Sequence, residues 1–272
     1  MFPLVVLIDV DGTLVGRDDE VSEAAIRAIK ELRPCSENII LSTGRQYERC
    51  LELRDSIKLY DYVIAADGSD IRSPDGNQIR QELLSIEELK LIFRKSKEHD
   101  VTLIYSAGDD NFISAHDDNV PFFLSYKDKM PFLISTNIDD FFETVKVKMV
   151  YVLDRRNSTE LSQFVSKLIN EGLDIRRSVP GYACVVRRGV SKASGYSFLR
   201  NNGFLTKNHK SIAIGDGEND IPLFNITDFS FCMNSASVQT RRMADKIVPS
   251  VENDGIVEAI HWILNNASVL KK

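Results

Sequence analysis

The chain has 272 residues, of which 43% are hydrophobic, and it carries a formal net charge of -6. This length and composition suffice for a sizeable hydrophobic core and for one or two domains. Lysine and arginine are spread along the chain instead of forming a basic patch, so the sequence predicts no nucleic-acid partner.

The N-terminal region shows no sign of a membrane or export segment. Its first apolar run ends at Asp9, far short of the roughly 20 residues that a membrane span requires, and no basic segment precedes it. The four cysteines are far apart without CxxC spacing, and the four histidines are equally scattered. The sequence thus predicts a soluble cytoplasmic protein with no membrane partner, no disulfide framework and no histidine-centred metal site.

Strands and amphipathic helices alternate in the first third of the chain. Apolar runs predict strands at Leu4–Val10, Asn38–Leu41 and Tyr62–Ala66. Apolar residues at helical spacing predict helices over 21–32 and about 46–57. This order fits parallel strands joined by right-handed crossovers.

A different pattern begins near residue 71. The segment "SPDGN", residues 73–77, predicts a tight turn between antiparallel strands, and Ser85 with Glu88 forms a capping box that opens a helix. A second helix is predicted over about 158–172. Further strands are predicted at Val101–Tyr105, Phe112–Ala115, Val145–Leu153, Leu173–Arg177 and Tyr182–Val186. The middle third is therefore typical of an α+β domain.

The alternation of strand and helix returns after Gly189. Helices are predicted over 191–203 and 220–224, with strands at Ser211–Ile214 and Phe229–Cys232. The sequence therefore predicts an α/β domain with a parallel sheet, residues 1–82 and 188–272, interrupted by an inserted α+β domain, residues 83–187.

Two aspartates follow the first strand in the segment "DVDGT". Residues two apart in a strand point to the same side, so Asp9 and Asp11 are expected to project together at the carboxyl end of that strand. Open α/β sheets bind ligands at this edge. Two like charges so close require a cation or a shared proton. The alternative is a loop of solvated acids.

A second acidic segment, "GDGEND", follows the strand near residue 214. Asp216 and Asp220 together with Asp9 and Asp11 would form an oxygen-rich pocket suited to a hard cation such as Mg²⁺. The alternative interpretation is an acidic turn that caps a helix.

Two further segments carry groups of a kind that can bind phosphate. In "LSTGR" the hydroxyl of Thr43 and the amide of Gly44 stand at a strand end, where they can hold phosphate oxygens, although Ser42 and Thr43 could equally cap the next helix. Lys192 lies at a predicted helix start, and on its own it is typical of a solvated surface lysine.

The order D-x-D-G-T, T-G-R, Lys and G-D-x-x-N-D resembles the four signature motifs of the haloacid dehalogenase (HAD) superfamily of phosphatases. The resemblance covers essentially the whole chain, because the middle third is similar to the large C2B-type cap of the Cof-like branch and "ENDGIVEAI", residues 252–260, is similar to its closing segment. It implies a Rossmann-like parallel-sheet core with an inserted α+β cap.

The resemblance also implies roles for the motif residues. Asp9 would be the nucleophile that forms an aspartyl-phosphate, and Asp11 the general acid and base. The implied cofactor Mg²⁺ would be held by the Asp9 carboxylate, the Asp11 backbone carbonyl and the Asp216 carboxylate, with Asp220 close by. Residues that would bind the phosphate and stabilise its charge are Gly12, Thr43, Gly44, Lys192 and Asn219.

Two segments depart from the family pattern. Asp67 and Gly68 stand where Cof-like members usually have Asn-Gly, and residues 233–236 read "MNSA" where "MGNA" is usual. An extra acid near an anionic substrate would weaken phosphate binding or indicate a substrate with an amine or many hydroxyls. The candidate substrate-binding residues are Arg45, Asp67 and Tyr182, with Tyr105 and His116 as further candidates.

The sequence thus predicts a Mg²⁺-dependent phosphomonoester hydrolase whose substrate is a small phosphate ester, a sugar or polyol phosphate. One alternative is a HAD-type sugar phosphomutase, which needs a second phosphate clamp in the cap. The candidate arginines are Arg176, Arg177, Arg187 and Arg188. The other alternative is a catalytically silent sensor that binds metal and phosphate.

Overall fold

The computed structural model describes most of the chain, in two compact units. The core unit comprises Met1–Arg80 and Ser191–Lys272, and the inserted unit comprises Gln81–Val190. The sequence prediction placed these boundaries at 82/83 and 187/188. The described residues are 3–16, 19–57, 60–108, 110–114, 131–154, 156, 159–179 and 181–266.

The two units have separate sets of helices and strands. The strands of the core unit are β1 (Leu4–Ile8), β2 (Asn38–Ser42), β3 (Tyr62–Ala65), β4 (Asp70–Arg72), β5 (Gln78–Gln81), β12 (Lys210–Gly215), β13 (Phe229–Met233) and β14 (Lys246–Val248). Its helices are α1 (Glu23–Leu32), α2 (Tyr47–Ile57), α6 (Lys192–Asn201), α7 (Ile221–Phe224), α8 (Val238–Arg241) and α9 (Gly255–Asn266). The inserted unit contains β6 (Thr102–Ala107), β7 (Asp110–Ile113), β8 (Phe132–Leu133), β9 (Met149–Leu153), β10 (Asp174–Val179), β11 (Tyr182–Val186), α3 (Ile86–Ser96), α4 (Ile138–Thr144) and α5 (Thr159–Asn170).

The core unit is built on a largely parallel sheet. Its eight described strands have the order β14-β13-β12-β1-β2-β3-β4-β5. Every pair from β14 to β3 is parallel, and β4 is antiparallel to β3. Because parallel neighbours run in one direction, the carboxyl ends of β1, β2, β3 and β12 all lie at the same edge of the sheet.

The central strand β1 is apolar throughout because both of its faces are buried. Val6 and Ile8 join a hydrophobic cluster with residues of α1 and α9. Val5 and Leu7 join a second cluster with residues of α6 and α7 on the opposite face. This is the packing expected of a strand in the middle of a parallel sheet covered by helices on both sides.

The inserted unit is a mainly antiparallel sheet with helices packed against one face. Its six described strands have the order β10-β11-β9-β6-β7-β8. Phe141 of α4 and Phe164 of α5 pack in one cluster with Tyr105, Val150 and Val152 from the sheet. An α/β core with an inserted α+β unit is the predicted fold class, which the structure confirms.

Several local predictions are refined by the structure. The capping box of α3 is confirmed, since the Ser85 hydroxyl accepts from the Glu88 amide at 3.1 Å and the Glu88 carboxylate accepts from the Ser85 amide at 2.7 Å. The strand predicted from Val145 begins only at Met149, because residues 138–144 form α4, which the sequence pattern did not indicate. Ala115 and His116 lie outside the described residues. No described helix is long and apolar enough to cross a membrane.

A matched pair of substitutions on α5 tests the core of the inserted unit. Phe164 is fully buried, whereas Ile169 on the same helix is 53% exposed. We expect Phe164→Ala to lower the free energy of unfolding by about 3–5 kcal/mol, because it leaves a cavity. Ile169→Ala should change it by less than about 0.5 kcal/mol. Urea titration followed by circular dichroism measures both, and equal losses would contradict the assignment of this face to the core.

Candidate active site

The ends of β1 and β12 bring two acidic segments together. These strands are parallel neighbours, and the Asp9 amide donates to the carbonyl oxygen of Ile214 at 2.9 Å. Asp9 therefore leaves β1 beside the point where β12 runs into Gly215 and Asp216. The Asp9 side chain is almost fully buried. The sheet thus places two chain segments some 200 residues apart at one edge.

Three carboxylates form a compact cluster at this edge. One oxygen from each of Asp9, Asp216 and Asp220 lies within 4.8 Å of the other two. The orientation of Asp220 is fixed because its Oδ2 accepts from the backbone amides of Asp216 at 3.0 Å and Gly217 at 2.9 Å. The second acidic segment is therefore both a capped turn and a member of a carboxylate cluster.

Lys192 supplies the positive charge of this cluster. Its Nζ lies 2.6 Å from Asp9 Oδ1 and 2.6 Å from Asp220 Oδ1, and its side chain is completely buried. The residue opens α6, which Ser191 caps with its hydroxyl. Lys192 is therefore not a solvated surface lysine, which was the alternative interpretation of the sequence.

The cluster carries more negative than positive charge. Burial raises the pKa of Asp9 well above its ordinary value, although Lys192 acts in the opposite direction. Burial and the charge of Asp220 raise the pKa of Asp216 to about 6. For Lys192, burial would lower the pKa, but the charges of Asp220 and Asp9 outweigh it and raise the pKa above its ordinary value. All three shifts have the direction expected where carboxylates outnumber cations.

The donors present fit a divalent cation. Carboxylate oxygens are hard ligands of the kind that Mg²⁺ prefers, and a divalent charge would balance the excess negative charge of Asp9, Asp216 and Asp220. Gly12 has φ +79°, and a Cβ atom there would collide with the Asp216 carboxylate. Thr13 donates its hydroxyl to Asp216 Oδ1 at 3.4 Å. The absence of a side chain at Gly12 thus lets the Asp216 carboxylate pack closely against the segment after β1.

The Asp11 side chain differs from the sequence prediction. The strand ends at Ile8, so the two-residue alternation that was expected to align Asp11 with Asp9 does not apply. The Asp11 side chain is 63% exposed and binds Arg45, whose own side chain is only 5% exposed. The described carboxylate cluster comprises Asp9, Asp216 and Asp220, without a carboxylate oxygen of Asp11.

The turns after β2 and β3 form the opposite side of the site. The Thr43 hydroxyl accepts from the Arg45 amide at 3.0 Å, and the Thr43 carbonyl oxygen accepts from the Asp67 amide at 3.0 Å. A Cβ atom at Gly44 would lie 3.4 Å from Asp67 Oδ2. Asn219 Nδ2 donates to Asp67 Oδ1 at 2.8 Å. The three turns after β2, β3 and β12 are thereby joined by hydrogen bonds.

Asp67 is buried and adopts a left-handed backbone conformation with φ 53°. Its contact with Asn219 was not predicted from the sequence, which offered only the departure from Asn-Gly as a signal. The pairing of Arg45 with Asp19 was missed as well, because nothing in the local pattern marks Asp19.

The aromatic candidates lie in the inserted unit. Tyr182 in β11 is buried, and its ring centroid lies 5.6 Å from that of Tyr151. Tyr105 lies among the helices of its own unit, with ring centroids 5.8 Å from Phe141 and 5.3 Å from Phe142. Tyr105 is therefore a packing residue. His116 lies outside the described residues.

The described chain combines a largely parallel α/β sheet, a buried Asp-Lys-Asp cluster at the carboxyl edge of that sheet and an α+β insertion. This is the arrangement expected of the phosphatase class that the four sequence motifs predict. The chain belongs to the haloacid dehalogenase-like hydrolases, whose family pattern it matches over residues 6–260. The superfamily and the enzyme class predicted from the four motifs are thus confirmed.

The similarity to known proteins extends over nearly the whole chain. The chain is 27% identical to a 5-amino-6-(5-phospho-D-ribitylamino)uracil phosphatase of Bacillus subtilis over 96% of both sequences. Its structure is similar to that of a HAD phosphatase of Bacteroides thetaiotaomicron, with TM-score 0.82, 26% identity and coverage of 96% of this chain and 94% of the other. It shares the fold of a HAD subclass IIB sugar phosphatase, with TM-score 0.80, 20% identity and coverage of 96% and 98%.

Removal of the buried ammonium tests the charge balance of the cluster. We expect Lys192→Met to lower the free energy of unfolding by about 3–5 kcal/mol, because two buried carboxylates lose their cation. Lys210→Met is the matched control, since Lys210 pairs with Asp228 at 2.9 Å in a partly exposed position. It should cost less than about 1 kcal/mol. Urea titration in EDTA measures both, and a loss at Lys192 as small as the control would contradict the analysis.

Proposed function

We propose that the protein is a Mg²⁺-dependent phosphomonoester hydrolase that acts through an aspartyl-phosphate on small phosphorylated metabolites. The observation that carries this proposal is the 2.6 Å contact between Lys192 Nζ and Asp9 Oδ1 inside a buried carboxylate cluster. A buried carboxylate held by an ammonium at a sheet edge has the fixed geometry that a nucleophile requires.

In the first step Asp9 attacks the phosphorus of the substrate. An oxygen-phosphorus bond forms between Asp9 and the phosphoryl group, and the phosphorus-oxygen bond to the alcohol breaks. Asp11 donates a proton to the departing oxygen, so that an alcohol leaves instead of an alkoxide. Lys192 stabilises the negative charge on the phosphoryl oxygens during this transfer.

In the second step water hydrolyses the aspartyl-phosphate. Asp11, now ionised, takes a proton from the water molecule as the water attacks phosphorus. The bond between phosphorus and Asp9 breaks, which releases inorganic phosphate and restores both carboxyl groups. Thr43 and the segments around Gly12 and Gly44 are the proposed binding groups for the transferring oxygens. The Gly12 amide itself donates to the carbonyl oxygen of Val15 at 2.9 Å.

The proposed ligands of Mg²⁺ are the carboxylates of Asp9, Asp216 and Asp220, with the Asp11 backbone carbonyl implied by the family resemblance. A bound Mg²⁺ would neutralise the charges of nucleophile and phosphate, which otherwise repel each other.

A phosphorylated polyol that carries an amine is the substrate class we favour. Asp67 is an additional buried acid linked to Asn219, and it contributes to the charge around Lys192. An extra carboxylate disfavours a second anionic group on the substrate and favours hydroxyl or amino donors. The Bacillus relative acts on a ribitylamino-uracil phosphate, which combines a polyol with an amine.

A mutase would need a second phosphate clamp, and two of the four candidate arginines bind other groups of the inserted unit. Arg176 donates to the carbonyl oxygen of Val190 at 2.8 Å, and Arg187 pairs with Glu82 at 2.9 Å. Arg188 is exposed, and the side chain of Arg177 lies outside the described residues. The intact set of Asp9, Asp11 and Lys192 favours an active enzyme over a silent sensor.

Replacement of the nucleophile tests the reaction. We expect Asp9→Asn to abolish phosphate release from a panel of sugar, polyol and ribitylamino-uracil phosphates that the wild type hydrolyses, because an amide cannot form the phosphoenzyme. Its stability should be unchanged or higher, since burial already disfavours the Asp9 charge. Asp139→Asn on the exposed surface is the control. Substantial release by Asp9→Asn, or no phosphoenzyme in acid-quenched wild type by mass spectrometry, would refute the mechanism.

Metal removal tests the proposed cofactor. We expect EDTA to stop hydrolysis and added Mg²⁺ to restore it. Mg²⁺ should also raise the melting temperature of the wild type, because an ion that binds only the folded state stabilises it. Asp216→Asn should show a much smaller rise. Unchanged activity in EDTA would contradict the assignment of the carboxylate cluster as a metal site.

A further inference from the structure

The buried guanidinium of Arg45 binds the exposed carboxylate of Asp11. Its Nε donates to Asp11 Oδ1 at 3.1 Å and Oδ2 at 3.0 Å, and its Nη2 donates to Asp11 Oδ1 at 2.6 Å. The Arg45 side chain is 5% exposed, against 63% for Asp11. An exposed carboxylate would otherwise rotate between several staggered orientations. Hydrogen bonds from two nitrogens of a buried, planar guanidinium stabilise one of these orientations.

The backbone of Arg45 is fixed to the neighbouring turns. Its amide donates to the Thr43 hydroxyl at 3.0 Å, and its carbonyl oxygen accepts from the Ala66 amide at 2.7 Å. The side chain therefore extends from a rigid point at the carboxyl ends of β2 and β3. A group held in this way can set the position of another side chain.

Asp19 holds the same guanidinium from the other side. Nη2 of Arg45 contacts both Asp11 and Asp19, and Asp19 Oδ2 also accepts from Arg49 at 3.4 Å. Asp11 and Asp19 belong to the connection between β1 and α1. One buried arginine thus fixes two points of the segment that carries the proposed general acid.

We propose that Arg45, anchored by Asp19, is a positioning residue for Asp11. It sets the orientation of the Asp11 carboxyl beside the Asp9 cluster but outside it, where a departing alcohol oxygen leaves. This inference rests on the proposed function. It assigns Arg45 to the general acid instead of to the substrate, which was the prediction from the sequence.

Substrates whose leaving groups differ in basicity distinguish a role of Arg45 in positioning Asp11 from a role in binding the substrate. An alkyl phosphate needs a proton donor for its departing oxygen, whereas p-nitrophenyl phosphate releases a stable anion without one. The ratio kcat/KM reports the steps up to formation of the phosphoenzyme. Loss of a correctly placed general acid should therefore lower kcat/KM for the alkyl phosphate selectively.

The experiment measures kcat/KM for p-nitrophenyl phosphate and for the alkyl phosphate that the wild type hydrolyses fastest. We expect Arg45→Met to lower the value for the alkyl phosphate at least about tenfold more than the value for p-nitrophenyl phosphate. In a protein that already carries Asp11→Asn, Arg45→Met should have little further effect on kcat/KM for the alkyl phosphate, because the carboxyl group that Arg45 positions is already lost. Arg49→Met, which removes a different arginine from Asp19, should leave the ratio of the two values unchanged.

Asp19→Asn repeats the test without disturbing a buried side chain, since Asp19 is 41% exposed. It should shift the ratio in the same direction by a smaller factor. Equal losses on both substrates through KM, additive with Asp11→Asn, would overturn the inference and assign Arg45 to substrate binding. A wild type without Asp9-dependent hydrolysis would overturn the proposed function itself, and the inference with it.

Discussion

The burial of Lys192 between Asp9 and Asp220 is the constraint on which the rest of the core unit depends. These three charged groups come from the end of β1, the start of α6 and the turn after β12. Removal of charges from water is costly, and their attraction offsets this cost only when the geometry is accurate. The hydrophobic strands beneath the site, which are buried on both faces, supply the stability and the rigidity that hold the groups in place.

The same site stores further unfavourable free energy in its backbone. Ala66, Asp67 and Gly68 follow one another with positive φ values of 49°, 53° and 100°. A left-handed conformation costs a non-glycine residue roughly 1–2 kcal/mol. At Gly68 a side chain would collide with the carbonyl oxygen of Ser191, so the turn packs directly against the start of α6 that carries Lys192. Strain of this kind persists where the surroundings fix the backbone, which is common at functional sites.

The sequence predicted the groups of the site better than their geometry. Asp9, Asp216 and Asp220 were recognisable because they follow strand ends, which the parallel topology brings to one edge. Lys192 was marked only by the family resemblance, since on its own it is typical of a solvated surface lysine. Their separations and the double contact of Lys192 depend on packing between distant segments, which periodicity does not encode. Asp11 shows the limit most clearly, since one strand boundary, at Ile8 instead of Val10, changes the direction of its side chain.

The two aspartates of the first motif stand in contrasting environments, and this contrast has chemical consequences. Asp9, the proposed nucleophile, is buried against the Lys192 ammonium, which fixes its carboxylate before any reaction. Asp11, the proposed general acid and base, is exposed at the same edge, where a carboxyl group can exchange a proton with solvent between the two steps of the proposed reaction. Exposure alone would leave that carboxyl free to rotate. In the proposed mechanism, the hydrogen bonds from the buried Arg45 would hold the exposed Asp11 carboxyl in one orientation, so that accurate placement and proton exchange with solvent are both possible.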